Sequence, residues 1–398
     1  MKRVLVVHFS GDFREAHRRR MANGGESYFG HGYVLDQLSG LAARHGAAAY
    51  LCCLAPEYCE DIGGGVTVIG CGTNPLRNPG PVLAAIAAWQ PTHVVIHGPM
   101  MRLLAGVSAM DVALSCIWAD SFVLPAWWRR LRYGNLARVL GDPRITLIGN
   151  HGINAARGLT ALGVDPARIV PWDFPHPRGP DQSAPRTLPA GPVHDLLYVG
   201  ALDAKKGVTD AIRAMAHLRD VPVRLVIVGG GARDRLVALV RRLGLEDRVE
   251  FKGSLANAEV QHLMQTVTAV LVPSRHAFPE GLPLTLFEAI AARTPVIASD
   301  HPMFAGHAVD RETALVFPAG DARALAARVA ELVGDPALYA RLSLLAPRAW
   351  ASMQVQAKWG EVIEHWVAGQ PADRAWLASH SLAALDQIQK SPTELEPA

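Results

Sequence analysis

The sequence predicts an α/β chain of two doubly wound domains facing each other across a cleft, and three observations carry that prediction. Short apolar runs alternate with longer amphipathic stretches along most of the chain, the pattern of βαβ units and parallel sheets. The alternation stops in a Pro- and Gly-rich stretch, Pro171 to Val193, where fixed φ angles and missing donors exclude a helix or a central strand. It restarts at Asp195, and 398 residues accommodate two or three domains at roughly 150 residues each.

The first run, Val4 to Phe9, is too short for the core of a signal peptide and leads into charged residues, so it reads as a strand. Further strands are expected at Ala48 to Leu54, Val66 to Ile69, His93 to His97, Val112 to Ile117 and Ile145 to Ile148. After the break, strands are expected at Leu196 to Val199, Leu225 to Val228, Val249 to Phe251, Ala269 to Val272 and Val296 to Ala298. Helices starting at Val208, Ala232, Ala258 and Pro283 lie between them. Ala322 to Val333 and Pro336 to Ala346 read as helices, and Trp350 to Val367 as one Trp-rich amphipathic helix able to pack back on the first domain. The expected organisation is a domain at 1–175, a linker at 176–194, a second domain at 195–348 and C-terminal helices at 349–390. Open α/β sheets bind ligands at the carboxyl ends of their strands, so the site should straddle both domains.

With 50% hydrophobic and 19% charged residues the chain is not disordered, and its 36 Gly and 28 Pro show no collagen period. Formal net charge is +3, too small to imply a nucleic-acid partner. Residues 1–194 carry 18 Lys and Arg against 13 Asp and Glu, and residues 195–398 carry 21 against 23, so the N-terminal half is the basic one. Cys52, Cys53, Cys59, Cys71 and Cys116 form no paired CxxC units, which fits a reduced, cytosolic chain. Arg102 and Asp111 break the longest candidate for the roughly 18 apolar residues of a membrane span, so the expected protein is soluble and at most peripheral.

The most informative stretch is Pro273 to Asp300, P-S-R-H-A-F-P-E-G-L-P-L-T-L-F-E-A-I-A-A-R-T-P-V-I-A-S-D. Pro283 sits where a first helical residue would be, leaving Gly281 and Leu282 to present amide groups at a helix N-terminus, which is an anion site. Glu280 precedes it and Glu288 follows inside the helix. A carboxylate accepts two hydrogen bonds from vicinal hydroxyls, so one Glu could hold a sugar and the other a ribose, with a diphosphate between them. An ordinary helix start with two solvated acids is the plainer reading of the pair alone.

Taken with its surroundings, this stretch resembles the donor-site signature of family 4 glycosyltransferases, retaining enzymes of the GT-B fold with two Rossmann-like domains. L-L-Y-V-G-A-L-D-A-K-K-G-V, Leu196 to Val208, resembles the family's strand followed by G-R-L-x-x-x-K-G, and L-V-I-V-G-G-G, Leu225 to Gly231, is similar to its next glycine loop. V-E-F-K-G-S-L resembles the segment lining the nucleobase. The resemblance implies a nucleotide-sugar donor, UDP-linked, held by Gly200, Lys206 on the diphosphate, Gly230, Glu280 on the sugar, Glu288 on the ribose, and Gly281, Leu282, Leu284 and Thr285 through backbone NH groups. The family's Arg is replaced by Ala201, so Arg275 or Lys205 would have to supply that contact.

In the first half the resemblance is one of outline. Gly25, in G-G-E, fits the family's short glycine loop, and Arg18, Arg19 and Arg20 give a basic, mobile loop able to attract an anionic acceptor or simply to be solvated. The family's His-Asp pair aligns with Ala119 and Asp120, so the His is absent. A retaining transfer can proceed by front-face displacement, the departing phosphate oxygen taking the acceptor proton. Asp120 and Glu280 are the catalytic candidates, and His97 is a weaker electrostatic or acceptor-side one. The resemblance implies no cofactor, and the chain shows no Asp-x-Asp for a metal. Leu124 to Tyr133 mixes Trp and Arg, which suits contact with an anionic membrane surface and a lipid-linked acceptor, or a surface helix whose tryptophans face the core. Glycan and small-molecule acceptors stay open. The localisation implied is cytoplasmic, or peripheral at the inner face of a membrane. A dinucleotide oxidoreductase is excluded because S-G-D-F-R-E after the first strand cannot act as G-x-G-x-x-G, whereas a nucleotide-sugar-binding or regulatory protein on a degenerate transferase scaffold remains open.

Overall fold

A computed structural model describes residues 1–23, 30–122, 126–282 and 284–390. The chain divides into two compact units, Met1–Phe174 with Val355–Ala398, and Pro175–Gln354. Both are parallel-sheet, Rossmann-like α/β units.

The strands of the first unit are β1 (Lys2–His8), β2 (Gly46–Cys52), β3 (Tyr58–Asp61), β4 (Val66–Gly70), β5 (His93–His97), β6 (Ala113–Trp118), β7 (Ile145–His151) and β8 (Ile169–Trp172). They form one sheet in the order β3-β4-β2-β1-β5-β6-β7-β8, parallel except at the β3–β4 pair. Val4 to Val7 are wholly buried at its centre, as a continuous apolar run in a doubly covered strand should be. Neither edge strand was expected. Pro171 lies inside β8, and a residue without an N–H is tolerated there because β8 ends the sheet. β3, of sequence YCED, is too short and polar to read as a strand.

The expected helix Trp350 to Val367 is two helices, Ala346–Met353 and Trp359–Ala368. Between them the chain runs extended beside the end of β8, where Asp173 N donates to Ala357 O (3.1 Å) and Trp359 N donates to Asp173 O (3.0 Å). The second helix restarts with Glu361 accepting from Lys358 N at 2.9 Å. It buries Trp359, Val362, Ile363 and Val367 in the first unit, and Lys2 donates to the carbonyl of Ala368 (3.0 Å) at its C-terminal end.

The second unit holds β9 (His194–Val199), β10 (Val223–Val228), β11 (Val249–Gly253), β12 (Ala269–Val272), β13 (Val296–Ser299) and β14 (Leu315–Phe317), all parallel in the order β11-β10-β9-β12-β13-β14. Residues 176–194, read above as a linker, are packed on this unit. His176 stacks on Phe287 at 3.8 Å, Arg293 donates to Pro180 O at 2.6 Å, and Arg186 donates to Val267 O at 2.8 Å. All five Cys are free and four are buried. Among the described residues no helix is long and apolar enough to cross a membrane.

Candidate functional site

In each sheet the strand order reverses at one place, between β1 and β5 in the first unit and between β9 and β12 in the second. The crevice at the carboxyl side of such a reversal is where doubly wound sheets bind ligands. In the second unit it gathers the loops after β9, β10 and β12. Gly200 N donates to Val228 O (3.0 Å) and Leu202 N to Gly230 O (2.8 Å), so the first two loops lie against each other. A Cβ on Gly229 would stand 1.9 Å from Gly200 O, at a φ of +143°, which makes Gly229, beside the expected Gly230, the position that needs glycine. Gly207, with φ +83°, is pressed equally closely against Pro273 O.

The turn Ala204–Lys206 is closed by Asp203, whose carboxylate accepts from Lys205 N at 2.6 Å. It delivers the Lys206 ammonium into an ion pair with Glu280, 4.8 Å from the centre of the Phe278 ring. Glu280 is 5% exposed and also accepts from Ser274 Oγ. Two residues named from the sequence 74 positions apart therefore meet. Their charges compensate each other.

Pro283 lies outside the described residues, and the helix beyond it is Leu284–Ala291. Thr285 Oγ1 donates to Val199 O at 3.3 Å, tying the helix start to β9, while the Leu282 side chain is buried and Gly281 half-buried. Glu288 accepts from Asn257 Nδ2 at 2.5 Å, and Gln261 Nε2 donates to Asn257 Oδ1 at 2.8 Å. Burial pushes the Glu288 carboxyl above its ordinary range. Asn257 and Gln261 escaped the sequence reading; four residues apart on helix Asn257–Thr266, they gave only the signal of a shared helix face. Arg275, considered as a substitute diphosphate ligand, is held by a two-pronged pair with the buried Asp210, Nε to Oδ2 being 2.7 Å. His301 was also missed. Burial lowers its pKa, and the ring donates from Nε2 to Phe278 O (3.1 Å) and accepts at Nδ1 from Met303 N (3.2 Å), which fixes the loop carrying Glu280.

In the first unit Gly25 lies outside the described residues, as do the side chains of Trp127 and Trp128. The expected mobile basic loop is instead the helix Phe13–Asn23, started by Asp12, which accepts from Glu15 N at 3.1 Å. Three of its four arginines are closely paired: Arg18 with Glu60 (2.9 Å), Arg19 with Glu15 (2.9 Å) and Arg20 with Asp36 (3.0 Å). Asp120 follows β6 and is clamped by its backbone: its N donates to Asn150 Oδ1 (3.1 Å) and Asn150 Nδ2 donates to its O (2.8 Å). Burial pushes its carboxyl up to about 6.

His97 ends β5 with its ring centre 4.9 Å from that of His8, which ends β1. Beyond it Trp172 stacks on His151 at 4.8 Å, and His151 Nε2 lies 2.9 Å from Asp173 Oδ1. Of this row only His97 was foreseen. Among the described residues no group of three His, Cys, Asp or Glu is placed to hold a metal ion.

The profile of the family described as "Glycosyl transferases group 1" matches residues 185–347. The chain is 32% identical to the 2-deoxystreptamine glucosyltransferase of Streptomyces kanamyceticus over 279 residues, 63% of this chain and 70% of that one. It is 32% identical to a glycogen synthase of Mycobacterium tuberculosis over 236 residues, 55% of this chain and 51% of that one. It thus spans about half the length of several curated relatives it matches. Among solved structures it is similar to sucrose-phosphate synthase of Thermosynechococcus elongatus, with a TM-score of 0.68 at 18% identity over 93% of this chain and 100% of that one. It is also similar to the Anabaena protein HepE, solved in complex with UDP and glucose, with a TM-score of 0.65 at 15% identity over 93% and 99%. These likenesses give the fold, the two-domain GT-B type. Sequence, profile and fold agree: the chain belongs to the glycosyl transferases group 1 family.

Proposed function

We propose that this protein is a retaining glycosyltransferase of the family 4 kind that moves a hexose or N-acetylhexosamine from a UDP-linked sugar to an acceptor hydroxyl. The observation that supports it most is the convergence of Lys206 and Glu280 beside the start of helix Leu284–Ala291 at the β9–β12 reversal. Lys206 then binds the diphosphate, Glu280 the sugar hydroxyls and Glu288 the ribose, while the amides of Gly281, Leu282, Leu284 and Thr285 serve the phosphate or sugar. Charge on the diphosphate is met by Lys206 and these amides, so no metal is needed. In the transfer the bond from the anomeric carbon to the phosphate oxygen breaks as the acceptor oxygen bonds to the same face. The acceptor proton passes to the departing phosphate oxygen, with Asp120 as a second candidate to take it. The acceptor is a glycan, a lipid-linked sugar or a small molecule, met in the cytoplasm or at the inner membrane face.

Isothermal titration with UDP checks this site. Lys206→Ala and Glu288→Ala should each weaken binding at least tenfold, about 1.4 kcal/mol; undiminished affinity in both removes the reading. Ala201 and Ala119, where family members carry Arg and His, favour a second reading, a nucleotide-sugar binder on a degenerate scaffold. Slow hydrolysis of UDP-glucose by the pure protein selects the enzyme, and tight UDP binding with no turnover selects the binder.

A further inference from the structure

The reversal point of the first sheet carries its own chemistry. His8 and His97 end the two strands that flank it, both half-buried, with ring centres 4.9 Å apart. His151 stands further along the same edge, backed by Trp172, with its Nε2 on the wholly buried Asp173. Arg18, Arg19 and Arg20 of helix Phe13–Asn23, the expected attraction for an anion, are committed to Glu60, Glu15 and Asp36, and Arg14 lies over the Tyr58 ring, 3.9 Å from Asp12.

One hydrogen bond assigns the tautomer of His8. His8 Nδ1 lies 2.5 Å from Ser10 O, and a carbonyl can only accept, so Nδ1 carries the proton and Nε2 a lone pair. Burial lowers the basicity of His8 and His97, and that of the neighbouring His31 to about 4, so the rings are uncharged at neutral pH. A lone pair attracts a hydroxyl, which can donate, and repels a carboxylate or phosphate oxygen, which can only accept.

We propose that this edge binds a neutral, hydroxyl-bearing ring, a polyol or saccharide, with a ring hydroxyl donating to His8 Nε2 and others exchanging hydrogen bonds with His97, and that it rejects phosphorylated rings. In the transferase reading this ring is the acceptor, and the inference rests on that reading for this role alone. It reverses the anionic acceptor suggested by the basic N-terminal half.

The test uses the full chain and matched probes: methyl α-D-glucoside against glucose 6-phosphate, and myo-inositol against inositol 1-phosphate. Binding is read from the imidazole NMR resonances, with UDP affinity measured on the same samples. At least one neutral probe should move the His8 and His97 signals and bind at least tenfold more tightly than its phosphorylated partner. His8→Ala and His97→Gln should each weaken that binding at least fivefold with UDP affinity unchanged. Equal or tighter binding of the phosphorylated probes, imidazole signals that no neutral probe moves, or neutral binding unaltered in both variants overturns the proposal. Loss of UDP binding in the native chain would instead remove the transferase reading and leave the ring site standing.

Discussion

Asn257 touches no expected ligand, yet it sets the direction of the carboxylate that should hold the ribose. Asn257→Ala is expected to lower UDP affinity three- to tenfold, while 2′,3′-dideoxy-UDP, lacking the hydroxyls that Glu288 would accept from, binds variant and native chains equally; titration of both ligands checks it. Asp120 gives a pH prediction. Its carboxyl titrates near 6 in the fold against an ordinary 3.8, so the folded state holds the proton more tightly than the unfolded one. The contribution of Asp120 to stability is therefore greatest below about pH 4 and falls as pH rises towards 6, by about 3 kcal/mol in all. Asp120→Asn removes that loss: chemical denaturation should find the variant more stable than the native chain at pH 7 and equal to it at pH 4. At this scale Lys206, Glu280 and Glu288 were legible because strand, loop and helix signals frame them. Asn150, Asn257 and His151 were not, because a lone polar residue acquires a role only through partners distant in sequence.

Loops and strands supply the next scale. Gly229→Ala drives a Cβ to 1.9 Å from Gly200 O, whereas Gly230→Ala meets only Ser254 Oγ at 3.2 Å. The first should lower stability by roughly 3 kcal/mol and the second by less than about 1 kcal/mol. Thermal denaturation compares them, and equal losses would refute the close approach of the two loops. The central strands were legible from their apolar runs. β3, β8 and β14 were not, since edge strands need only half a ladder and tolerate Pro171, paired acids or three residues. The basic segment Arg14 to Arg20 misled for a different reason: its balancing carboxylates, Asp36 and Glu60, come from other elements.

For the whole molecule, the two-sheet architecture followed from one alternation broken once. The first domain, expected to end at 175, ends at Phe174, but the proline-rich segment that looks like a tether is part of the second unit, strapped down by Arg186 and Arg293. The C-terminal helices, read from the sequence as able to pack back on the first domain, belong to the first unit from Val355 onward. A chain ending at Gln354 loses Trp359, Ile363 and Leu382 from that unit's interior. Each such side chain contributes about 2 kcal/mol. Hydrogen exchange should then show β1 to β8 unprotected and β9 to β14 unchanged; protection retained throughout would contradict it.

The interruption of the first unit by the second also orders events on the ribosome. Pro175–Gln354 is continuous in the chain and can close its core as soon as it emerges, while Met1–Phe174 must wait for residues beyond Val355. At roughly 5–20 residues per second that wait lasts on the order of ten seconds or more. The N-terminal unit, made first, is thus the one finished last, and during the delay its uncovered apolar surface is the part of the nascent chain most in need of a chaperone.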